Sequence, residues 1–386
     1  MTTSHPATPV PIPALTLPRT LFAVHACDAL PSELASLGVS RPLIVTDQGL
    51  VTTGIPARVL SACGDVAKGT LFDRVTENPL YADVDAGALI YAKQHCDGVI
   101  AVGGGSVIDT AKMIALLATN PGHVADYVGR PGVAHGPAAP LVVIPTTAGT
   151  GSEASPSAGI HPDAVTASVG MNSRHLVPKL ALLDPALTVS LPRFLTAATG
   201  IDALSHCIEG YLSNRDQPLG KAIALDGIRR VLRHLPNAVA NGADLKARGE
   251  LMLAAFAGGV SIGMGLGPAH AIAITCSDQG FHHGLLSGMG LIATLDATAT
   301  HVPDRMAAIS EAFDLPHGAS LSQAVADLMR SLGLPISLAE LGYMASDLAL
   351  MAQAAHKSHF NLSAPFHPNE LQYASFFQHL MKSETP

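Results

Sequence analysis

The amino-acid sequence predicts an α/β protein, with a parallel sheet wrapped by helices in its first half and an all-helical second half. Three observations carry this. Short, uninterrupted apolar runs rich in β-branched residues recur up to about residue 183, separated by helical patterns, as expected of strands buried on both faces of a parallel sheet. Beyond Pro192 such runs become rare and a 3.6-residue periodicity takes over. Glycine-rich loops follow two of the runs, at the strand ends where open α/β sheets bind ligands.

The elements follow in order. Residues 1–14, rich in proline and threonine, read as a flexible tail. Leu43-Ile-Val-Thr46 reads as a buried strand ending at Asp47, with Val51 to Ala62 as the next helix. Val99-Ile-Ala-Val102 is a second strand, continued by a helix from Asp109 to Ala118. Leu141-Val-Val-Ile144 is a third strand, and Leu180 to Leu183 adds a further one. After Pro192, a usual place for proline beside a helix start, helices are expected at 193–213, 218–234, 244–260, 303–314, 319–332, 345–358 and 368–382. The domain boundary is expected near 190, giving a sheet domain over 15–190 and an all-helical domain over 191–386.

Composition narrows the function. The chain has 386 residues and a formal net charge of −8, which argues against nucleic acid as a partner. No apolar run reaches membrane-spanning length, and the start lacks a basic segment followed by an apolar one, so neither a span nor a secretory signal is expected. Cys27, Cys63, Cys96, Cys207 and Cys276 are scattered without a Cys-x-x-Cys pair, as in reduced, cytoplasmic proteins. Only 13% of residues are charged against 48% hydrophobic, so a homo-oligomer, most simply a twofold dimer, is expected.

Two constellations carry chemistry. Asp202 and His206 are four residues apart in a predicted helix, which stacks a carboxylate and an imidazole on one face. His270 and His283 follow in a Gly-rich region. One carboxylate and three imidazoles suit Zn²⁺ or Fe²⁺ with room for a substrate oxygen. The second constellation is a pair of loops. Val102-Gly-Gly-Gly-Ser-Val-Ile-Asp109 lets the backbone approach a phosphate at a helix start. Pro145-Thr-Thr-Ala-Gly-Thr-Gly-Ser-Glu153, after the next strand, lines the same crevice with hydroxyls. Asp47, at the end of an earlier strand, either accepts from the adenosine ribose hydroxyls, which favours NAD over NADP, or caps a helix.

These motifs, with Asn78-Pro79, Asp184-Pro-Ala-Leu-Thr188, Thr199-Gly-Ile-Asp-Ala-Leu-Ser-His206 and His283-Gly284, resemble the iron-containing (group III) alcohol dehydrogenase family over about residues 40 to 290. The resemblance implies a dehydroquinate-synthase-like fold: an N-terminal NAD-binding domain, a C-terminal helical domain and a divalent metal in the cleft between them. It implies Asp202, His206, His270 and His283 as ligands, for Fe²⁺ first and Zn²⁺ or Mn²⁺ as alternatives. Gly104, Gly105 and Ser106 would hold the pyrophosphate, Thr146 and Thr147 would lie along NAD(H), and Leu187 and Thr188 near the adenine. Asn78, Asp109 and Thr150 complete the implied cofactor site. The implied reaction is hydride transfer between nicotinamide and a metal-polarised alcohol, aldehyde or ketone.

Three departures stand out. The family's His-Ala-x-x-His reads His270-Ala-Ile-Ala-Ile274 here, so a proton-carrying histidine is replaced by Ile274. The His270-to-His283 spacing is one shorter than the family's, which leaves His282 as an alternative ligand or as the proton carrier. Ser168 stands where a lysine is common, and the Asn-Pro-Arg element of many members is missing, with Ser363-Ala-Pro-Phe-His367 nearby. These changes are expected around the substrate pocket and point to a specialised small substrate, such as an anionic semialdehyde or hydroxy acid. The rival readings are a metal-free reductase of the maleylacetate type, a dehydroquinate-synthase-like NAD/metal lyase and a non-catalytic NAD-binding protein.

Overall fold

The computed structural model describes residues 14–64, 68–130, 132–134 and 136–382. Apart from Ala14, the tail expected over 1–14 lies outside the described residues.

The predicted fold class is the observed one. Strands β1 (Arg19–Phe22), β2 (Pro42–Val45), β3 (Thr70–Phe72), β4 (Gly98–Gly103), β5 (Leu141–Pro145) and β8 (Leu180–Leu183) form one sheet in the order β1-β8-β5-β4-β2-β3. Every pairing in it is parallel. The continuous apolar runs are explained by alternation within them. Leu43, Val45, Val99, Ala101, Leu141 and Val143 face one core, packed by α4 (Tyr81–Lys93) and α5 (Gly105–Leu117). Ile44, Ile100, Val102, Val142 and Ile144 face a second, packed by α1 (Leu30–Leu37) and α3 (Ile55–Ala62). A strand buried on both faces has no polar phase to show.

Several elements differ from expectation. The helix expected from Val51 to Ala62 is two, α2 (Gln48–Val51) and α3, because Gly54 takes a left-handed φ of 77° between them. β1 and β3 are short and carry polar residues, so they have no clear strand signal. A separate antiparallel hairpin, β6 (Ser157–Ile160) with β7 (Val169–Asn172), was also not legible.

From Arg193 onward the described residues contain helices and no strand. These are α6 (Arg193–Leu212), α7 (Pro218–Ala240), α8 (Leu245–Ile262), α9 (Pro268–Thr275), α10 (His283–Ala299), α11 (Pro303–Ala312), α12 (Leu321–Ser331), α13 (Leu348–His356) and α14 (Glu370–Leu380). α7 runs through Pro236 to Ala240, beyond the end expected at 234. α9 and α10 were not expected as helices: α9 is only eight residues long, and the glycines of α10 lower its intrinsic helix signal. α6 is the central rod, buried along nearly its whole length and packed by α7, α8 and α10. Among the described residues no helix is long and apolar enough to cross a membrane.

Candidate functional site: a buried histidine–carboxylate cluster beside the sheet loops

α6 presents Asp202 and His206 one turn apart, α9 supplies His270 from its first turn, and α10 begins at His283. One donor atom from each lies within 4.8 Å of the other three. Asp202 Oδ1 is 4.0 Å from both His206 Nε2 and His283 Nε2. That is too long for a hydrogen bond, and near the roughly 3.3–3.6 Å between two donors sharing a tetrahedral ion at about 2.0–2.2 Å. The His206 and His270 rings stack with centroids 4.7 Å apart, and the His270 and His283 rings lie 5.4 Å apart. The approach of α10 depends on Gly284, where a Cβ would meet Ala198 O at 2.2 Å and Asp202 Cβ at 2.7 Å.

The donor set fits a divalent cation. Burial lowers the His206 and His283 imidazoles to about 4, so both offer neutral lone pairs at neutral pH. Burial alone would raise the Asp202 carboxyl, but the facing His206, His283, His270 and His282 hold it below its ordinary value. A buried carboxylate among neutral imidazoles, with Ser287 Oγ donating at 3.2 Å, is short of positive charge. His270 Nε2 is buried and has no partner, an orphan of the kind a bound ion would satisfy. His282 stands outside the group of four: it caps α10, its Nδ1 accepting from Gly284 N at 3.1 Å.

The two glycine loops come together at the carboxyl ends of β4 and β5. A Cβ on Gly105 would lie 2.7 Å from Thr150 Cγ2, and one on Gly104 3.3 Å from Thr147 Cγ2. Ser106 Oγ donates to Glu77 O, tying the segment that carries exposed Asn78 to the first loop. The second loop also touches α6, since a Cβ on Gly149 would meet Thr199 O at 2.5 Å. Thr146 is buried at the end of β5.

Other expected cofactor residues have different surroundings. Asp47 caps α2, its Oδ1 accepting from Leu50 N at 2.8 Å. Asp109 braces the loops: it accepts from Ser152 Oγ and, at 2.9 Å, from Gly159 N. Leu187 lines a cleft with Cys27, Gly54 and Arg58. Thr188 is fully buried and its hydroxyl donates to Pro185 O at 2.9 Å, which holds the turn Pro185–Thr188. Of the three departures, Ile274 lies one turn beyond His270 on α9, and the 3₁₀ turn His359–Ser363 packs on α9. Ser168, by contrast, sits at the hairpin that packs on α5, near Gly159 and Asp109.

Sequence reasoning missed two contributors. The Phe360 ring is 5.8 Å from that of His270 and 4.2 Å from that of His359; nothing in the sequence signals this contact. Glu209 on α6 reaches His270, with 2.6 Å between Glu209 Oε2 and His270 Nδ1. Its signal was present, since 202, 206 and 209 are spaced as one helical face.

The pattern of the family described as iron-containing alcohol dehydrogenase matches residues 18–185, and that of its C-terminal region matches 196–381. The chain belongs to the iron-containing alcohol dehydrogenase family. It is therefore an oxidoreductase, of a family that generally binds NAD and a metal. It is 40% identical to a 4-hydroxybutyrate dehydrogenase of Cupriavidus necator over 330 residues, covering 82% of this chain and 86% of the relative. It is 33% identical to an NAD-dependent methanol dehydrogenase of Bacillus methanolicus over 362 residues, covering 90% and 94%. Among solved structures, a 1,3-propanediol oxidoreductase superposes with a TM-score of 0.91 at 29% identity, covering 95% of this chain and 99% of that one.

Proposed function

We propose that the protein is an NAD(H)-linked, metal-dependent dehydrogenase that interconverts a small hydroxy acid and its semialdehyde. The observation that carries this reading is the convergence of Asp202, His206, His270 and His283 beside the glycine loops. The similarity to a 4-hydroxybutyrate dehydrogenase supports the substrate class.

Asp202, His206, His270 and His283 would hold the metal, with Fe²⁺ favoured over Zn²⁺ or Mn²⁺. Bound there, it would supply Lewis acidity toward a substrate oxygen. Gly104, Gly105 and Ser106 would approach the pyrophosphate of NAD(H), with backbone N–H groups at the start of α5 facing its charge. Thr146, Thr147 and Thr150 would flank the cofactor, and Asp47, whose Oδ2 takes no part in its cap, would accept from the adenosine ribose. His282 is the proposed proton carrier: its Nδ1 accepts from Gly284 N, so in the neutral ring Nε2 bears the proton. The alternative ligand role for His282 loses ground to His283, which alone joins the group of four.

We place the functional division near residue 190, between the last sheet strand and α6. A homo-oligomer is part of the reading: Leu17, Phe22 and Val24, 42–45% exposed at and around edge strand β1, form apolar surface that a second copy would cover. The complete donor set weighs against a metal-free reductase. Arg174 and Lys179, the cations a lyase pocket would use, are both exposed.

The test is an NADH-oxidation screen over semialdehydes and neutral aldehydes of matched length. A preference for the anionic aldehydes is expected. Equal rates for neutral and anionic partners would overturn the substrate class, and no turnover of any aldehyde would overturn the activity.

A further inference from the structure

Glu209 stands two turns beyond Asp202 on α6, 5% exposed. Its carboxylate accepts from Gly267 N at 3.0 Å, Ala269 N at 2.7 Å and His270 N at 3.2 Å. These are the unpaired N–H groups at the start of α9, so a side chain from one helix caps another. The same Oε2 lies 2.6 Å from His270 Nδ1. An ionised carboxylate only accepts, so Nδ1 carries the imidazole proton and the lone pair sits on Nε2. That nitrogen is the one that is buried without a partner.

We propose that Glu209 is the positioning residue of the metal centre, fixing both the place of α9 and the tautomer of His270 so that Nε2 faces the other three donors. The inference rests on the metal-dependent reading above. Its physical content is a single group doing two jobs that must agree. Holding the start of α9 sets where the His270 ring stands, and holding Nδ1–H sets which nitrogen is offered. A carboxylate behind a ligating imidazole also raises the basicity of the opposite nitrogen, and losing such a partner typically lowers metal affinity about 10–100-fold. Glutamine is the sharper substitution. It keeps the size of Glu209 but has one accepting oxygen, and whichever way it turns its NH₂ meets an N–H donor.

The first experiment uses the metal-free wild-type protein: ¹⁵N NMR of the histidine rings, with His270 assigned from its loss in His270→Gln. A single Nδ1–H tautomer is expected; an Nε2–H tautomer, or a mixture, would overturn the proposal whether or not any variant folds. The second is Zn²⁺ affinity by chelator competition, with NADH affinity measured in parallel. Glu209→Gln should weaken Zn²⁺ binding about 10–100-fold and leave NADH binding within about twofold. A variant that binds Zn²⁺ as tightly as wild type would overturn the proposal. Wild-type protein that binds no Zn²⁺ would instead overturn the metal reading, with the tautomer still deciding the role of Glu209.

Discussion

The two halves of the molecule build their parts of the site differently. At the ends of β4 and β5 the sheet half offers mostly backbone, from glycines 103–105 and a loop of small residues whose close approach leaves little room for a Cβ. The helical half offers side chains: Asp202, His206 and His270 are each at most 4% exposed on helices locked together. Backbone recognition is local and tolerates variation in the surrounding side chains. A side-chain cluster drawn from α6, α9 and α10 exists only when the tertiary packing is right. Substitutions on the helical side should therefore be close to all-or-none, and those on the sheet side graded.

The largest effect short of removing a ligand is expected at His282. His282→Asn preserves the cap on α10, since asparagine is a good capping residue, but removes the proposed proton carrier. Its kcat should fall about 100-fold or more, the scale of general acid–base catalysis, with metal content and NADH affinity unchanged. A retained kcat would send the proton through ordered water or the ribose hydroxyls. Loss of metal would make His282 a ligand and break the assignment of His283.

Asp47→Gly probes the sheet side. Glycine is tolerated as a cap, so α2 should persist. Preference for NADH over NADPH should shrink by ~1–3 kcal/mol, read from the ratio of kcat/KM values. Unchanged relative kinetics would leave Asp47 as a helix cap alone.

The smallest effect belongs to the loop that follows β5. Glu153 in that loop and Lys112 on α5 are buried; burial pushes the Glu153 carboxyl up to about 7 and the Lys112 ammonium down to about 8. Lys112 Nζ donates to Ser155 O at 2.9 Å and Ser157 O at 2.7 Å, holding the loop to β6. The folded chain keeps a Glu153 proton that the unfolded chain releases from 4.5 upward, so this group lowers stability as pH rises from 4.5 to about 7. Relative to wild type, Glu153→Gln should gain urea resistance steadily across that window and hold the gain above it. A constant difference between the two midpoints would contradict the buried-neutral reading.

Legibility followed the same division. β2, β4, β5 and β8 were readable because strands covered on both faces are apolar throughout. β1 and β3 pair at the sheet edges and need no such run, so Arg19-Thr20 and Thr70 concealed them. In the helical half the four donors were readable from Asp202/His206 spacing and the family resemblance, while the helices carrying two of them were not. Gly284, Gly288 and Gly290 make α10 a poor helix by propensity, yet they let it press against α6, α9 and α12. The partners of the proposed ligands, Ser287 on Asp202 and Glu209 on His270, depend on that packing. Glu209 could have been read from its helical register alone, whereas Ser287 and Phe360 could not.

The central claim is that Asp202, His206, His270 and His283 form one metal site that exists only as a set. The direct measurement is metal content per chain by elemental analysis, for wild type and His270→Ala purified and reloaded side by side. The account predicts one divalent ion per chain in wild type and sharply lower occupancy in the variant, because three ligands hold a metal much less well than four. A His270→Ala protein with full metal content and activity would contradict it.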